Sequence, residues 1–180
     1  MEKTIEKSNQ ETMKILVLSD SHGDGNTVLK IVEKHYDEIE GLIFLGDGAE
    51  EIVELSYIYP NLPIYAVTGN NDRIQRGGRV SFPLEQVIEI AGRRIYLTHG
   101  HIADYRDVAE AVIARARSEG ASIALHGHLH IPNQIEHDDV TLLSPGSIRY
   151  PRGGSQPSYM LLSFINTQFN IQKCEVALLS

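Results

Sequence analysis

A single cysteine, no tryptophan and no apolar stretch of membrane-spanning length set the first limits on this sequence. One cysteine, Cys174, cannot close an internal disulfide, and its place in an apolar C-terminal segment reads as a small buried residue without a redox role. Apolar runs such as "ILVL" fall far short of the roughly 20 residues that a spanning helix needs. The N-terminal "MEKTIEKSNQETMK" has no apolar h-region, so the chain reads as cytoplasmic. Residues 1–13 read as a polar, flexible tail, with Met13 as a candidate start of the functional chain and 14–180 as one domain. Basic side chains are the minority, 16 against 24 acidic ones, which gives a formal net charge of -8 and a pI near 5.4. That balance disfavours a general nucleic-acid or anionic-membrane binder, since both need a basic surface. At 42% apolar and 22% charged residues, the 180-residue chain has the composition and size of a globular protein with a substantial core.

The apolar residues that are present alternate between strand-like and helix-like spacing. "KILVLSD" is a continuous apolar run ended by polar residues, as expected of a strand buried on both faces. The glycine-rich "SHGDGNT" offers Asn26 or Thr27 as an N-cap, and "VLKIVEKHY" then carries helical spacing at Val28, Leu29, Ile31, Val32 and Tyr36. A strand at "GLIFLGD", a helix through "AEEIVELSY" and a strand in "LPIYAVTGNND" extend this to βαβαβ, a sheet with helices on its faces. Beyond Asp72, "FPLEQVIEIAGRRIYLTHGH" predicts a hairpin about Gly92. A helix through "RDVAEAVIARARSEG" stops at Gly120, and "ASIALHGH" is the strand after it. "VTLLSPGS", "PSYMLLSFI" and "FNIQKCEVAL" predict strands joined by turns, forming a second, more antiparallel sheet against the first in a layered α/β sandwich. No repeat or linker divides the chain.

Histidine is scarce, at eight residues, yet "ASIALHGHLHIPN" holds three of them, His126, His128 and His130. Residues two apart in an extended chain share a side, so His128 and His130 can present two imidazoles to one point. Neutral imidazole is a common ligand of transition metals. The spacing alone does not separate ligands from structural histidines, but other candidates stand in equivalent places. Asp20 and His22 follow the first predicted strand, Asp47 the second, Asn70 the third, His99 the strand "RRIYLTH", and His128 with His130 the strand "ASIAL". In α/β sheets ligands bind in the crevice outside the carboxyl ends of the strands, where distant segments converge. Gly23, Gly46, Gly48, Gly69, Gly100 and Gly127 each adjoin one of these residues, where sharp turns and close backbone approach are needed.

In this order, "DSH", "GDGAE", "GNND", "THGH" and "GHLH" resemble the motifs of the calcineurin-like metallophosphoesterases. "SPGSIRYPR" is similar to a stretch of the small bacterial and archaeal phosphodiesterase branch of that superfamily, so the matches run from Asp20 to Arg152. The resemblance implies a four-layer α/β/β/α sandwich and two divalent metal ions per chain. Asp20, His22 and His130 would hold one ion, Asn70, His99 and His128 the other, and Asp47 would bridge them. It leaves His126 as a structural residue or a supporting neighbour of the ligands. Two divalent ions against two carboxylates make a cationic pocket in an acidic protein, suited to a small phosphate ester. Such ions make hydroxide available near neutral pH and stabilise an in-line displacement, so no protein nucleophile is required. A nitrogen and oxygen ligand set without thiolate favours manganese, iron, zinc, cobalt or nickel over calcium, with manganese placed first.

One departure bears on substrate. Many family members place a histidine, thought to protonate the leaving group, where Asn71 stands, and an amide cannot titrate. His101, two residues after His99, is the substitute the spacing offers, while Asp72 is a candidate to orient a neighbouring group. Arg149 and Arg152 are candidates to contact substrate phosphate, Ser144 replaces an asparagine common in the branch, and Asp24, Glu50 and Glu51 read as loop or first-turn helix residues. The expected activity is hydrolysis of small phosphodiesters, with the intact ligand set arguing against a protein-interaction scaffold like the retromer subunit of this fold. The acidic composition argues against a nuclease. Nothing in the sequence opposes a homo-oligomer, and no membrane partner is expected.

Overall fold

Every residue of the "ILVL" run is buried, and alternate residues face opposite apolar environments. This run lies in strand β1 (Met13–Leu18), where Ile15 and Val17 join one buried cluster and Leu16 and Leu18 another. A strand covered on both faces needs this arrangement. The computed structural model describes residues 12–72, 82–103, 107–166 and 168–179. After β1 come α1 (Gly25–His35), β2 (Gly41–Phe44), α2 (Ala49–Ile58), β3 (Ile64–Ala66), β4 (Glu85–Ile90), β5 (Arg93–Thr98) and α3 (Val108–Ser118). β6 (Ile123–His126), β7 (Asn133–His137), β8 (Val140–Ser144), β9 (Ser158–Ile165) and β10 (Gln168–Glu175) complete the described strands.

Two five-stranded sheets result, ordered β10-β9-β1-β2-β3 and β4-β5-β6-β8-β7. Strands β1, β2 and β3 are parallel, as are β5, β6 and β8, and the remaining strands are antiparallel to their neighbours. Val17, Ile43, Ile95, Leu97, Leu125 and Leu162 belong to the cluster that fills the space between the sheets. On the outer face of the first sheet, Val28, Ile31 and Ile52 of α1 and α2 pack with Leu16, Phe44 and Leu161. On the outer face of the second, Val112, Ile113 and Ala116 of α3 pack with Tyr96, Ala124 and Leu142. The layers are therefore α/β/β/α, as the resemblance implies.

The hairpin at Gly92 is present, with Ala91 and Gly92 both at positive φ (50° and 74°), and helix α3 ends before Gly120 at φ 67°. Other expectations need correction. The C-terminal strands do not form the second sheet together. β8 is buried along its whole length and pairs parallel to β6, whereas β9 and β10 return to the first sheet beside β1. Two-sided burial gave β8 a central place, with Leu143 facing the space between the sheets and Leu142 facing α3. β7 escapes sequence reading because its residues are mostly exposed and lack an apolar period. Cys174 is only partly buried, on edge strand β10, packing against the cluster beneath α1 and α2.

The N-cap of α1 is Asp24, not Asn26 or Thr27. Its carboxylate accepts from the Thr27 N–H at 3.1 Å and from Thr27 Oγ1 at 2.8 Å, so the helix starts at Gly25, before the apolar stripe begins. Removing that acceptor by Asp24→Ala is expected to lower the unfolding free energy by about 1 kcal/mol. Asn26→Ala should change it by less than about 0.5 kcal/mol, as for ordinary surface positions. Urea denaturation followed by circular dichroism measures both, and equal effects would contradict the assigned cap.

Candidate metal centre

The parallel strands of the two sheets release their loops at one end of the seam between the sheets, where backbone hydrogen bonds tie them together. Asp20 N–H donates to Gly46 C=O at 3.0 Å and His22 N–H to Asp47 C=O at 2.9 Å, joining the loops after β1 and β2. Within the second sheet Gly127 N–H donates to His99 C=O, and across the seam Ile148 N–H donates to Ser19 C=O. Ser147 Oγ donates to Asp20 C=O at 3.0 Å and accepts from the N–H groups of Arg149 and Tyr150. All seven residues expected as metal ligands meet here.

Two of the rings, those of His99 and His130, are oriented by bonds on the side away from the centre. His99 Nδ1 lies 2.6 Å from Leu45 C=O, and His130 Nδ1 lies 2.6 Å from Tyr150 C=O. A carbonyl can only accept, so both rings keep a proton on Nδ1 and, when neutral, turn the Nε2 lone pair inward. The His130 Nε2 then faces Asp20 Oδ1 at 3.0 Å and His22 Nε2 at 3.2 Å. The His99 Nε2 faces Asn70 Oδ1 at 3.2 Å and Asp47 Oδ2 at 3.5 Å. His22 Nε2 stands 3.7 Å from an oxygen of each carboxylate. Asp20 Oδ1 is buried and has no hydrogen-bond donor among the described residues. Lone pairs crowded together in a buried space repel unless a cation or proton lies between them.

A divalent cation fits this arrangement. Suitable atoms of Asp20, His22, Asp47 and His130 lie within 4.8 Å of one another. Beside this group stand Asn70, His99 and His128, with the His128 ring centroid 5.1 Å from that of His99 and Asp47 Oδ2 3.5 Å from His99 Nε2. Asp20, Asp47, His99 and His130 are buried, so solvent cannot screen the charges.

Holding the set together requires unusual backbone. Asp20, His22, Asp47, His128 and His130 all have φ between 46° and 66°, the left-handed region where non-glycine residues are uncommon. Such strain costs on the order of 1 kcal/mol or more per residue and persists where surrounding contacts fix it. Space is equally restricted: a Cβ at Gly69 would overlap the Asp47 carboxylate, and one at Gly127 would overlap Ser19 Oγ.

Supporting groups are richer than the sequence suggests. Asp72 accepts from four backbone N–H groups, those of Asp47, Gly48, Ala49 and Gly69, at 2.7–3.0 Å. It thereby clamps the loop after β2 to the loop after β3. Asn71 donates to both oxygens of Asp47, from its backbone N–H at 2.7 Å and its side-chain amide at 2.6 Å. Glu51, read as a first-turn helix residue, also accepts from Ser21 Oγ at 2.9 Å and Gly23 N–H at 2.6 Å. The roles of Ser147 and Glu51 were missed because their partners come from segments distant in sequence. The second serine of "SPGS" was the only local signal for the former.

The other candidates are placed more loosely. The His101 ring lies 5.4 Å from His99 and 6.4 Å from His128, and its buried Nδ1 has no partner among the described residues. Arg149 donates to His22 C=O and stacks over Tyr150, 5.0 Å from the ring centroid. Arg152 is exposed, although its backbone N–H donates to His130 C=O. Ser144 Oγ is buried against Gly146 N–H. His126 is structural: its Nδ1 reaches Gly127 C=O at 2.9 Å and its Nε2 faces Asn133 Nδ2, with burial pushing its pKa down to about 4.

Electrostatics divide the site's titratable groups. Burial would raise the Asp47 pKa, but His99 and the Asn71 bonds hold it well below the usual carboxylate range. Burial would lower His99 and His130, but Asp47 and Asp20 raise the first and Asp20 raises the second. His101 and His128 are pushed down by burial and by the neighbouring His99.

Comparison with known proteins agrees with this geometry. Residues 13–167 match the calcineurin-like phosphoesterase superfamily domain. A probable metallophosphoesterase of Bacillus subtilis strain 168, YsnB, is 32% identical over 154 residues, covering 86% of each chain. The phosphodiesterase YfcE of Escherichia coli K12 is 25% identical over 167 residues, covering 83% of this chain and 87% of the relative. The crystal structure of a conserved uncharacterized protein from Streptococcus pneumoniae TIGR4, a predicted phosphoesterase, is similar at a TM-score of 0.77 and 28% identity, over 93% of this chain and 91% of that one. With its domain match, its two-sheet sandwich and an aspartate and histidine cluster at the seam, the chain belongs to the calcineurin-like phosphoesterase superfamily.

Proposed function

We propose that the protein is a metal-dependent phosphodiesterase that hydrolyses small phosphate esters. In this reading Asp20, His22 and His130 hold one divalent ion, Asn70, His99 and His128 hold a second, and Asp47 serves both. The observation that carries it is the set of inward-facing lone pairs on His99, His130 and Asp20. Likeness to relatives named metallophosphoesterase and phosphodiesterase supports the ester class. When bound, the two ions supply hydroxide near neutral pH and positive charge for the phosphoryl oxygens. The ligand chemistry suits manganese, iron, zinc, cobalt or nickel, and manganese is the ion for a first assay.

The chain's own residues orient and support the reaction. Asn71 fixes both oxygens of Asp47, and Asp72 fixes the backbone that carries it. Arg149 steadies the loop of His22, and Arg152 brings positive charge to the side of His130. His101 borders His99 and His128, where it can contact the ester or its leaving group.

Asp47→Asn removes the shared carboxylate charge. Turnover of a chromogenic phosphodiester with manganese should fall by more than the roughly 10- to 100-fold typical of losing an outer partner of a metal ligand. Elemental analysis should also show close to one metal equivalent lost. Parent-like activity and metal content would refute the shared-ligand assignment.

Four of the proposed ligands, His22, His99, His128 and His130, are imidazoles that must be unprotonated at the coordinating nitrogen. Despite their burial, His99 and His130 retain protons to higher pH than ordinary histidines because Asp47 and Asp20 face them. Protons therefore compete increasingly as pH falls, and manganese affinity should weaken from about pH 8 to about pH 6. Calorimetric titration measures this, and an affinity constant across that range would contradict the ligand set.

Asn71 supplies no titratable proton, so esters with stable leaving groups such as nitrophenolate should turn over faster than alkyl esters. If His101 assists departure, His101→Ala should slow an alkyl ester at least about tenfold more than a nitrophenyl ester, and Asn71→His should narrow the gap between them. Equal slowing of both esters by His101→Ala would exclude that assistance.

A further inference from the structure

A cleft of about 510 Å3 opens beside the metal centre, lined by His22 and Asp47 on its inner side and by Tyr150 on its outer side. Tyr150 is 50% exposed. Its position is nevertheless fixed at several points. The Tyr150 C=O accepts from His130 Nδ1, and its N–H donates to Ser147 Oγ at 2.9 Å. Its ring lies 5.3 Å from the His22 ring, while the Arg149 guanidinium lies 5.0 Å from its centroid. Arg149 is in turn bonded to His22 C=O. The ring is therefore an ordered surface tied to two proposed metal ligands.

The cleft is also lined by Glu50 and Glu51 at the start of α2, carboxylates that disfavour a further phosphate there. The N–H groups of Gly48 and Ala49 point to the Asp72 carboxylate and are already satisfied. Those two donors are therefore not available to a further phosphate. Apart from its carboxylates and amide, the cleft presents beside the metal centre the flat, half-exposed face of Tyr150.

Resting on the phosphoesterase reading, we propose that Tyr150 forms the wall of a subsite for a planar aromatic group of the ester, held while its phosphate lies against the proposed ligands. Aromatic pairs gain through offset or edge contacts beyond simple burial, and a pre-positioned ring loses little freedom on binding. Arg149 contributes by holding that ring in place, as a positioning residue for the subsite.

The test compares phenylphosphonate with methylphosphonate, which share a headgroup and differ in the organic group. Their dissociation constants are measured by calorimetry on the manganese-loaded full chain, for the parent, Tyr150→Ala and Tyr150→Phe. The ratio of the two constants cancels general damage to the metal centre. The parent should prefer phenylphosphonate by roughly 3- to 10-fold, Tyr150→Phe should retain that preference, and Tyr150→Ala should lose it. Equal affinities in the parent, or a preference that survives Tyr150→Ala, would overturn the subsite while manganese-dependent turnover by the parent upholds the phosphoesterase reading. Failure of both phosphonates to bind, together with no turnover, would overturn both.

Discussion

An imidazole that gives its one N–H to a carbonyl must turn a lone pair the other way. That constraint, imposed on His99 by Leu45 and on His130 by Tyr150, determines what the seam between the sheets can do. Were those carbonyls absent, either ring could rotate or change tautomer and donate to Asp20 or Asp47, giving a self-satisfied polar cluster. With them in place and the rings neutral, nitrogen and carboxylate lone pairs face one another in a buried space. The arrangement is stable as an acceptor of positive charge, and this links the fold to metal-dependent chemistry.

Much of the surrounding structure serves to maintain that unfavourable grouping. Left-handed backbone at Asp20, His22, Asp47, His128 and His130 raises the energy of the loops. Asp72 opposes this by gathering four N–H groups from two loops, and Glu51 and Ser147 brace the loop after β1. Beneath them lie the layers of Ile43, Leu97 and Leu125, which fix the ends from which the loops depart. The interior is a rigid platform, and the strain is confined to its polar end.

The same end is asymmetric. On one side Asn70, His99, His128 and His101 crowd together beside Asp47. On the other, the cleft runs outward past His22 to the face of Tyr150. Phosphate chemistry accounts for the first side, and an organic group of the ester gives the second a purpose. Asn71 belongs to neither description as first expected: in place of an acid it is a double donor to Asp47.

Strand and helix periods in the sequence already specified the alternation of elements, the Gly92 hairpin and the stop at Gly120, because each depends on contacts only a few residues apart. The placement of Asp20, His22, Asp47, Asn70, His99, His128 and His130 after successive strands was equally legible, since strand ends in α/β sheets share one crevice. Sheet membership was not: β8 looks like its C-terminal neighbours, and only burial on both faces put it beside β6. The same applies to Asp72, whose four donors lie in segments up to 25 residues away, and to Tyr150, whose position depends on Arg149, Ser147 and His130 together. Residue type and local spacing are written along the chain, but the direction of a lone pair or a ring is set by partners that meet only when the two sheets close on each other.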